Sequence, residues 1–160
     1  MNDTEKTVAL IAKEAGVISK KDFRNKIVKF QKQFEDYGAR KMKDFTKPLA
    51  DNEKLEHEFG EGTYIRKITM PAGQLYLSQI HKITHPFFVM KGSATVISDE
   101  GLTRITAPYH GMTKPGTQRI LYIHEECVWI TVHPTDKTTV EEVVEDVIAK
   151  DYNDPKLKLE

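Results

Sequence analysis

Apolar residues recur every three to four positions in two stretches near the start of the chain. Val8, Ile11, Ala12 and Ala15 form the first set, and Phe23, Ile27, Phe30 and Phe34 in "KKDFRNKIVKFQKQFEDYG" form the second. That is the spacing of one helical face, so two amphipathic helices are predicted, their stripes packed for stability or self-association. Between "TKPLADNEK" and "EFGEG" the pattern fades, and Pro48, Asp51, Asn52, Gly60 and Gly62 read as linker and turn. From Tyr64 the period drops to two. "TYIRKITM", "QLYLSQIHKI", "FFVMK", "SATVIS", "LTRITA", "QRILYI" and "CVWITVH" are rich in β-branched and aromatic residues and are separated by "PAG", "KG", "DEG", "YHG" and "KPG", which predicts short antiparallel strands in a sandwich or barrel. Helical spacing returns in "HPTDKTTVEEVVEDVIAKDY", where Thr139 and Glu142 make a capping box for a C-terminal helix on the outside of the barrel. The closing "NDPKLKLE" is expected to fray. The predicted organisation is a helical extension over 1–54, a β-barrel over 55–135, and a helix with tail over 136–160.

Composition narrows the function classes. The 160 residues are 39% apolar, enough for one domain with its own core. Lys and Arg total 24, as do Asp and Glu, so the overall field favours no nucleic-acid partner. No apolar run reaches the length of a membrane span, and the polar N-terminus lacks the pattern of a signal peptide. A single cysteine, Cys127, permits no intramolecular disulfide and no thiolate metal site, which fits a reducing compartment. A cytoplasmic protein is expected. Cys127 itself, among apolar neighbours, is expected to be a packed thiol rather than a nucleophile.

The chemistry concentrates in "SQIHKITHPFFVMKG". Residues two apart on a strand share a face, so Gln79 and His81 point the same way, into the barrel if Leu75 and Leu77 line the core. His85, just before Pro86, is placed to close on the same cavity. Gly73, Gln79, His81, His85 and Gly92 have a spacing that resembles the first cupin motif, G-x5-H-x-H-x3-E-x6-G. Gln79 stands at the first His, His81 matches the second and His85 replaces the Glu. The second cupin motif, G-x5-P-x-G-x2-H-x3-N, is matched poorly around Gly116. Arg119 takes the place of the His, Pro115 falls one place late, and Ile123 stands where Asn is expected. The resemblance covers about residues 55 to 135 and implies a mainly β, double-stranded β-helix (jelly-roll) barrel. The strings "HEFGEGTYIRKITMPAG", "IHKITHPFFVMKG" and "ITAPYHGMTKPGTQRILYIHEECVWITVHPTD" look closer still to small phage-associated cupin-like proteins, which implies a phage-encoded chain in the host cytoplasm.

Three readings of these residues remain open. In the first, His81 and His85 hold one divalent transition metal (Zn, Fe, Ni or Mn), as imidazole suits such ions. His110, His124 or His133 could then supply a further ligand, His133 best, because it shares strand parity with Cys127, Trp129 and Thr131. This reading leads to a metal-dependent dioxygenase or isomerase. In the second, Gln79, His81, His85 and Arg119, with Trp129 and His133, bind a small anionic or metal-chelated ligand, because a guanidinium matches the two-oxygen geometry of carboxylate and phosphate. In the third, the barrel is a scaffold for a virion component or host-interaction protein, with Lys20, Lys21, Arg24 and Lys26 as a contact face. The second is preferred, without a defined catalytic cycle. A homodimer is expected, since barrel edges need protection. His57 reads as a surface residue. The adjacent Glu125 and Glu126 point to opposite faces, so they make no acid/base pair, and "KPG" is a turn without phosphate-loop spacing. Tyr76, Phe87, Phe88, Tyr109, Tyr122 and Trp129 are expected to fill the barrel or an interface, with Trp129 also a ligand contact.

Overall fold

The computed structural model of the chain describes residues 3–36, 40–41 and 54–157. Two helices open it, α1 (Asp3–Glu14) and α2 (Lys20–Asp36), as the spacing predicts. Ser19 caps α2. Its hydroxyl accepts the Asp22 N–H at 3.1 Å and donates to the Asp22 carboxylate at 2.6 Å, satisfying a donor the first turn leaves open. The strands follow as β1 (Arg40–Lys41), β2 (Lys54–Gly60), β3 (Thr63–Met70), β4 (Leu75–Leu77), β5 (Ile80–His81), β6 (His85–Ser98), β7 (Gly101–Thr106), β8 (Tyr109–Thr113) and β9 (Ile120–Pro134). The capped helix α3 (Val140–Val147) and β10 (Ile148–Ala149) close the described chain.

The architecture is the predicted one, a mainly β jelly-roll barrel with helices before and after it. Its spine is the antiparallel pair β6 and β9, long enough to run through both halves of the barrel. On its far side β6 pairs with β8 and then with β7, and β9 pairs with β3 and then with β4. β2 extends the β3 edge, and β1 extends β4 in parallel. Alternate residues of the spine fill the barrel: Val89, Ala94, Val96, Leu121, Ile123, Cys127 and Trp129 pack with Ile68, Met70, Tyr76 and Ile105.

Several boundaries differ from the sequence reading. Residues 54–60 form a strand rather than a linker, held by β3 along its whole length; Pro48, Asp51 and Asn52 lie outside the described residues. "FFVMK" and "SATVIS" are one strand, because "KG" is a bulge and not a turn. Gly92 has a φ of 80°, and a Cβ there would come within 2.1 Å of the Glu126 carbonyl oxygen, so β9 approaches too closely for any side chain. "QRILYI" and "CVWITVH" are likewise continuous in β9, and "YHG" belongs to β8. Among the described residues the tail does not fray. Leu157 is buried against Ile80 and Ala149.

The two long strands carry a second apolar row on their outer face. In one half, Leu75, Leu77, Ile97 and Ile120 pack under Ile11, Phe23, Ile27 and Phe34 of the N-terminal helices. An ion pair between Arg24 and Asp99, 2.8 Å and nearly dry, ties α2 to the β6–β7 turn. Thr139 caps α3 as predicted, donating to the Glu142 carboxylate at 2.8 Å and accepting the Glu142 N–H. Val143 and Val147 of α3 cover Tyr64.

Candidate functional site

Residues 78–81 and 116–119 are laced together, and this brings the two motif regions to one place. The Ser78 N–H donates to the Arg119 carbonyl (2.9 Å), the Arg119 N–H to the Ser78 hydroxyl (2.8 Å), His81 N–H to Thr117 O (3.2 Å) and Gly116 N–H to His81 O (2.8 Å). Gln118 adds a side-chain bond to the Ser78 carbonyl at 3.2 Å, and Tyr152 holds Gln118 from outside at 3.1 Å. On the other edge, β10 pairs with β5 at His81. The strand predicted over "QLYLSQIHKI" breaks at Ser78 and Gln79, which resets its parity. Leu75 and Leu77 therefore face the helices while Gln79 and His81 still line the barrel interior.

That interior holds a cavity of ≈ 40 Å³ at its polar end, walled by Arg66, Ser78, Gln79, His81, Arg119 and Thr131 on one side and by Ile68, Met70, Leu121 and Trp129 on the other. This is room for a few waters or one small polar group. Arg119 also borders a second cavity of ≈ 140 Å³, whose wall includes Phe87, Ser98, Thr103, Tyr109 and Thr117. Its Nη2 donates to Thr113 Oγ1 at 2.9 Å, and the guanidinium lies over the Phe87 ring, 5.0 Å from its centre. Phe87 in turn stacks on Trp129 at 4.7 Å. Among the described residues no carboxylate comes within ion-pair distance of Arg119. The nearest acids are otherwise engaged, Asp99 with Arg24 and Glu100 with Lys114 at 2.9 Å. Burial brings the Arg119 pKa down to about 10, against the pull of Glu100 and Asp99, so it is charged at any physiological pH.

Behind His81 stands a cluster of imidazoles. His81 and His85 have ring centres 4.6 Å apart, His85 and His133 4.1 Å, and Tyr64 stacks beyond His133 at 5.9 Å. The His85 Nδ1 lies 3.1 Å from the Ile83 carbonyl, which only accepts, so Nδ1 carries the proton and Nε2 the lone pair. That Nε2 and both ring nitrogens of His133 are buried without a hydrogen-bond partner among the described residues. Burial is the main force on their protonation. It lowers His85 to about 4, Ile83 pulling the other way and Arg119 adding to the drop, and His133 to about 3, with help from His85 and Arg66. Burial, then His85 and Arg119, holds His81 well below the usual range. All three are neutral at pH 7.

Gln79, His81, Arg119 and Trp129 thus line one cavity, while His85 and His133 lie one ring deeper. Four further polar residues enter that the sequence reading did not single out. Arg66, Ser78 and Thr131 line the cavity, and Thr113 holds Arg119. Arg66 had a signal, being the one charged residue at the inward parity of Tyr64, Ile68 and Met70. His110 lies on the outer face beside Phe88, and His124 outside the barrel against Thr95 at 2.8 Å, so neither reaches the cavity. His57 is not a plain surface residue. Its Nδ1 is 2.7 Å from the Tyr64 hydroxyl and its Nε2 is buried. Glu125 accepts from Ser93 and Glu126 pairs with Lys91, so they form no acid/base pair. Cys127 is in the core, its thiol raised to about 11 by burial.

The divalent metal implied by the cupin resemblance does not fit this donor set. Among the described residues no group of three His, Cys, Asp or Glu side chains could hold an ion. A guanidinium, with no lone pair and a fixed positive charge, fills the place of the fourth ligand. Among the described residues no helix is long and apolar enough to cross a membrane.

No protein-family model matches the chain, and no curated protein matches it significantly. Solved structures similar in fold include an RmlC-like cupin from Shewanella frigidimarina, 17% identical over 57% of this chain and 84% of that one, with a TM-score of 0.48. An acetylacetone dioxygenase from Acinetobacter johnsonii is 18% identical over 55% of this chain and 66% of that one, with a TM-score of 0.46. A salicylate 1,2-dioxygenase from Pseudaminobacter salicylatoxidans is 12% identical over 78% and 35%, with a TM-score of 0.49.

Proposed function

We propose that the barrel is a metal-independent binding site for a small anion, a carboxylate or phosphate group seated against Arg119. The observation that carries the reading is a buried guanidinium, with no carboxylate at ion-pair distance among the described residues, in the wall of a cavity lined also by Gln79, His81 and Thr131. A buried charge is costly unless it is paired. An anion in the cavity pairs it, and Ser78, Gln79, His81 and Thr131 surround the place such a group would occupy. The planar fork of arginine suits two oxygens at once. Trp129 and Phe87 give the remainder of the ligand an apolar wall, and the second cavity beside Arg119 gives it room.

Binding rather than turnover fits the liners. The Ser78 hydroxyl is committed to the Arg119 N–H and the Gln79 carbonyl, so it is not an activated nucleophile; among the described residues no carboxylate lines the smaller cavity, and Glu100, which lines the second, is paired with Lys114. The likeness to small phage-associated proteins supports a phage-encoded chain that takes its ligand from the host cytoplasm.

The test is calorimetric titration of chelator-dialysed protein with inorganic phosphate and a panel of mono- and dicarboxylates, beside Arg119→Gln. Binding by the native chain that the variant loses supports the reading. Undiminished binding by Arg119→Gln, or no binding of any anion, would falsify it. Binding that appears only after Zn, Fe, Ni or Mn is added, and is lost in His81→Ala, would replace it with the metal-dependent enzyme.

A further inference from the structure

The second cavity, ≈ 140 Å³ between β6, β7, β8 and the segment before β9, differs in kind from the first. Inward rows that are hydrocarbon in the core turn into hydroxyls as they reach it. On β6 the row of Ala94 and Val96 ends in Ser98. On β7, Thr103 lies opposite Val96 and shares the inward parity of Ile105, and on β8, Tyr109 lies opposite Val89. Residues opposite one another on an antiparallel pair share a face, so all three enter the cavity wall. Gly101, opposite Ser98, has the same parity, and nothing stands within 4 Å of where its Cβ would lie. Thr117 adds a fourth hydroxyl from the segment that carries Arg119, and Glu100, held by Lys114 at 2.9 Å, adds a carboxylate. Arg119 lines this cavity and the smaller one alike.

We infer that the body of the ligand is a short polyhydroxylated chain, which runs from an anionic group on Arg119 into this second cavity. The inference rests on the anion site proposed above and names what that anion is attached to. Each hydroxyl of the wall both donates and accepts, so the wall suits a ligand that does the same at several positions. Ser98 shows the capacity left over. Its oxygen accepts the Glu100 N–H at 3.2 Å, which leaves its proton to donate. A hydrocarbon chain in this cavity would strip water from Ser98 and Thr117, which are 9% and 5% exposed, and give nothing back. Hydroxyls on the ligand replace that water. The C–H side of the same chain has Phe87, Val96 and Ile105 to pack on, the mixture of apolar wall and convergent polar groups that orients a small ligand.

Calorimetric titration with two matched pairs tests this, glycerate against propionate and glycerol 3-phosphate against propyl phosphate. Within each pair the compounds differ only by two hydroxyls, and the two pairs tell a carboxylate head from a phosphate one. In the pair whose head group is accepted, the hydroxylated compound should bind at least ~10-fold more tightly, as two added hydrogen bonds allow. Thr103→Val and Tyr109→Phe each remove one hydroxyl from the wall at an exposed position, so their circular dichroism should stay native. Each should cut the preference at least ~3-fold and leave the affinity for propionate and propyl phosphate unchanged. Equal affinities within each pair overturn this inference and leave the anion site standing. A preference that both variants keep in full overturns it as well, because the hydroxyls are then read elsewhere. Binding of none of the four compounds overturns the anion site, and this inference with it.

Discussion

The two halves of the barrel share their long strands and treat the outer face of those strands differently. Toward the turn between β6 and β7, the outward residues Ile97 and Ile120 are under 5% exposed, roofed by Phe23, Ile27 and Phe34. Toward the other end, Phe88 and Met90 occupy the same outward parity of β6 and are open. Inside, the first half packs mainly Tyr76, Ala94, Val96, Ile105, Leu121 and Ile123, with Arg119 next to Ile120 at its edge, while the second carries Arg66, His85 and His133. The half with the helices supplies stability by burying apolar surface on both sides. The other half holds buried polar groups, whose desolvation is costly, and is where the proposed anion would offset part of that cost.

The largest effect that would sharpen this contrast comes from removing the roof. Phe23→Ala or Phe34→Ala should cost ~3–5 kcal/mol in urea unfolding, the usual range for a fully buried Phe. Phe88→Ala in the monomer should cost under ~0.5 kcal/mol, as exposed substitutions do. Equal costs at both sites would break the comparison.

Acid acts on the polar half. His85 and His133 have folded-state pKa values of about 4 and about 3, below the ordinary 6.5 of an unfolded chain, so below pH 6.5 the unfolded state binds protons the folded state refuses. Their contribution is complete above that pH and is lost as pH falls toward 4. The loss is on the order of 3 kcal/mol for a shift like that of His85. Unfolding followed at pH 7.5 and pH 4.5 should show it, and His85→Phe should flatten the dependence. A curve flat across this window would contradict the buried neutral cluster.

Ligand linkage is next in size. An anion at 100 times its dissociation constant should raise native stability by ~2.7 kcal/mol and do nothing for Arg119→Gln, measured as a thermal shift. Smallest is the cap of α3, the helix that covers Tyr64 at the end of the polar half. Thr139→Ala should cost ~1 kcal/mol.

The fold was legible because most of its elements rest on local pattern. The stripes at Val8–Ala15 and Phe23–Phe34, the alternation after Tyr64 and the Thr139 box each name an element without any long-range information. The misread boundaries are those where pairing overrides pattern. Gly92 looks like a turn until β9 is known to pass 2.1 Å from where its Cβ would lie, and residues 54–60 become a strand only through β3. At the site, the spacing around His81 and the arginine at 119 pointed to residues that share one cavity wall. Leu75 and Leu77 pack under the helices and not inside the barrel, and a break at Ser78 restores the inward direction of Gln79 and His81. Arg66 and Thr131 join by cross-strand register with one another, which no single stretch of sequence displays.

Trp129 is the chain's only tryptophan, and it forms part of the cavity wall with Arg119. Its fluorescence during titration of chelator-dialysed protein with inorganic phosphate and small carboxylates therefore reports on that cavity alone. A saturable change with at least one anion, absent in Arg119→Gln, is the result expected of an anion site built on that guanidinium. A signal indifferent to every anion, or one that Arg119→Gln retains in full, would contradict it.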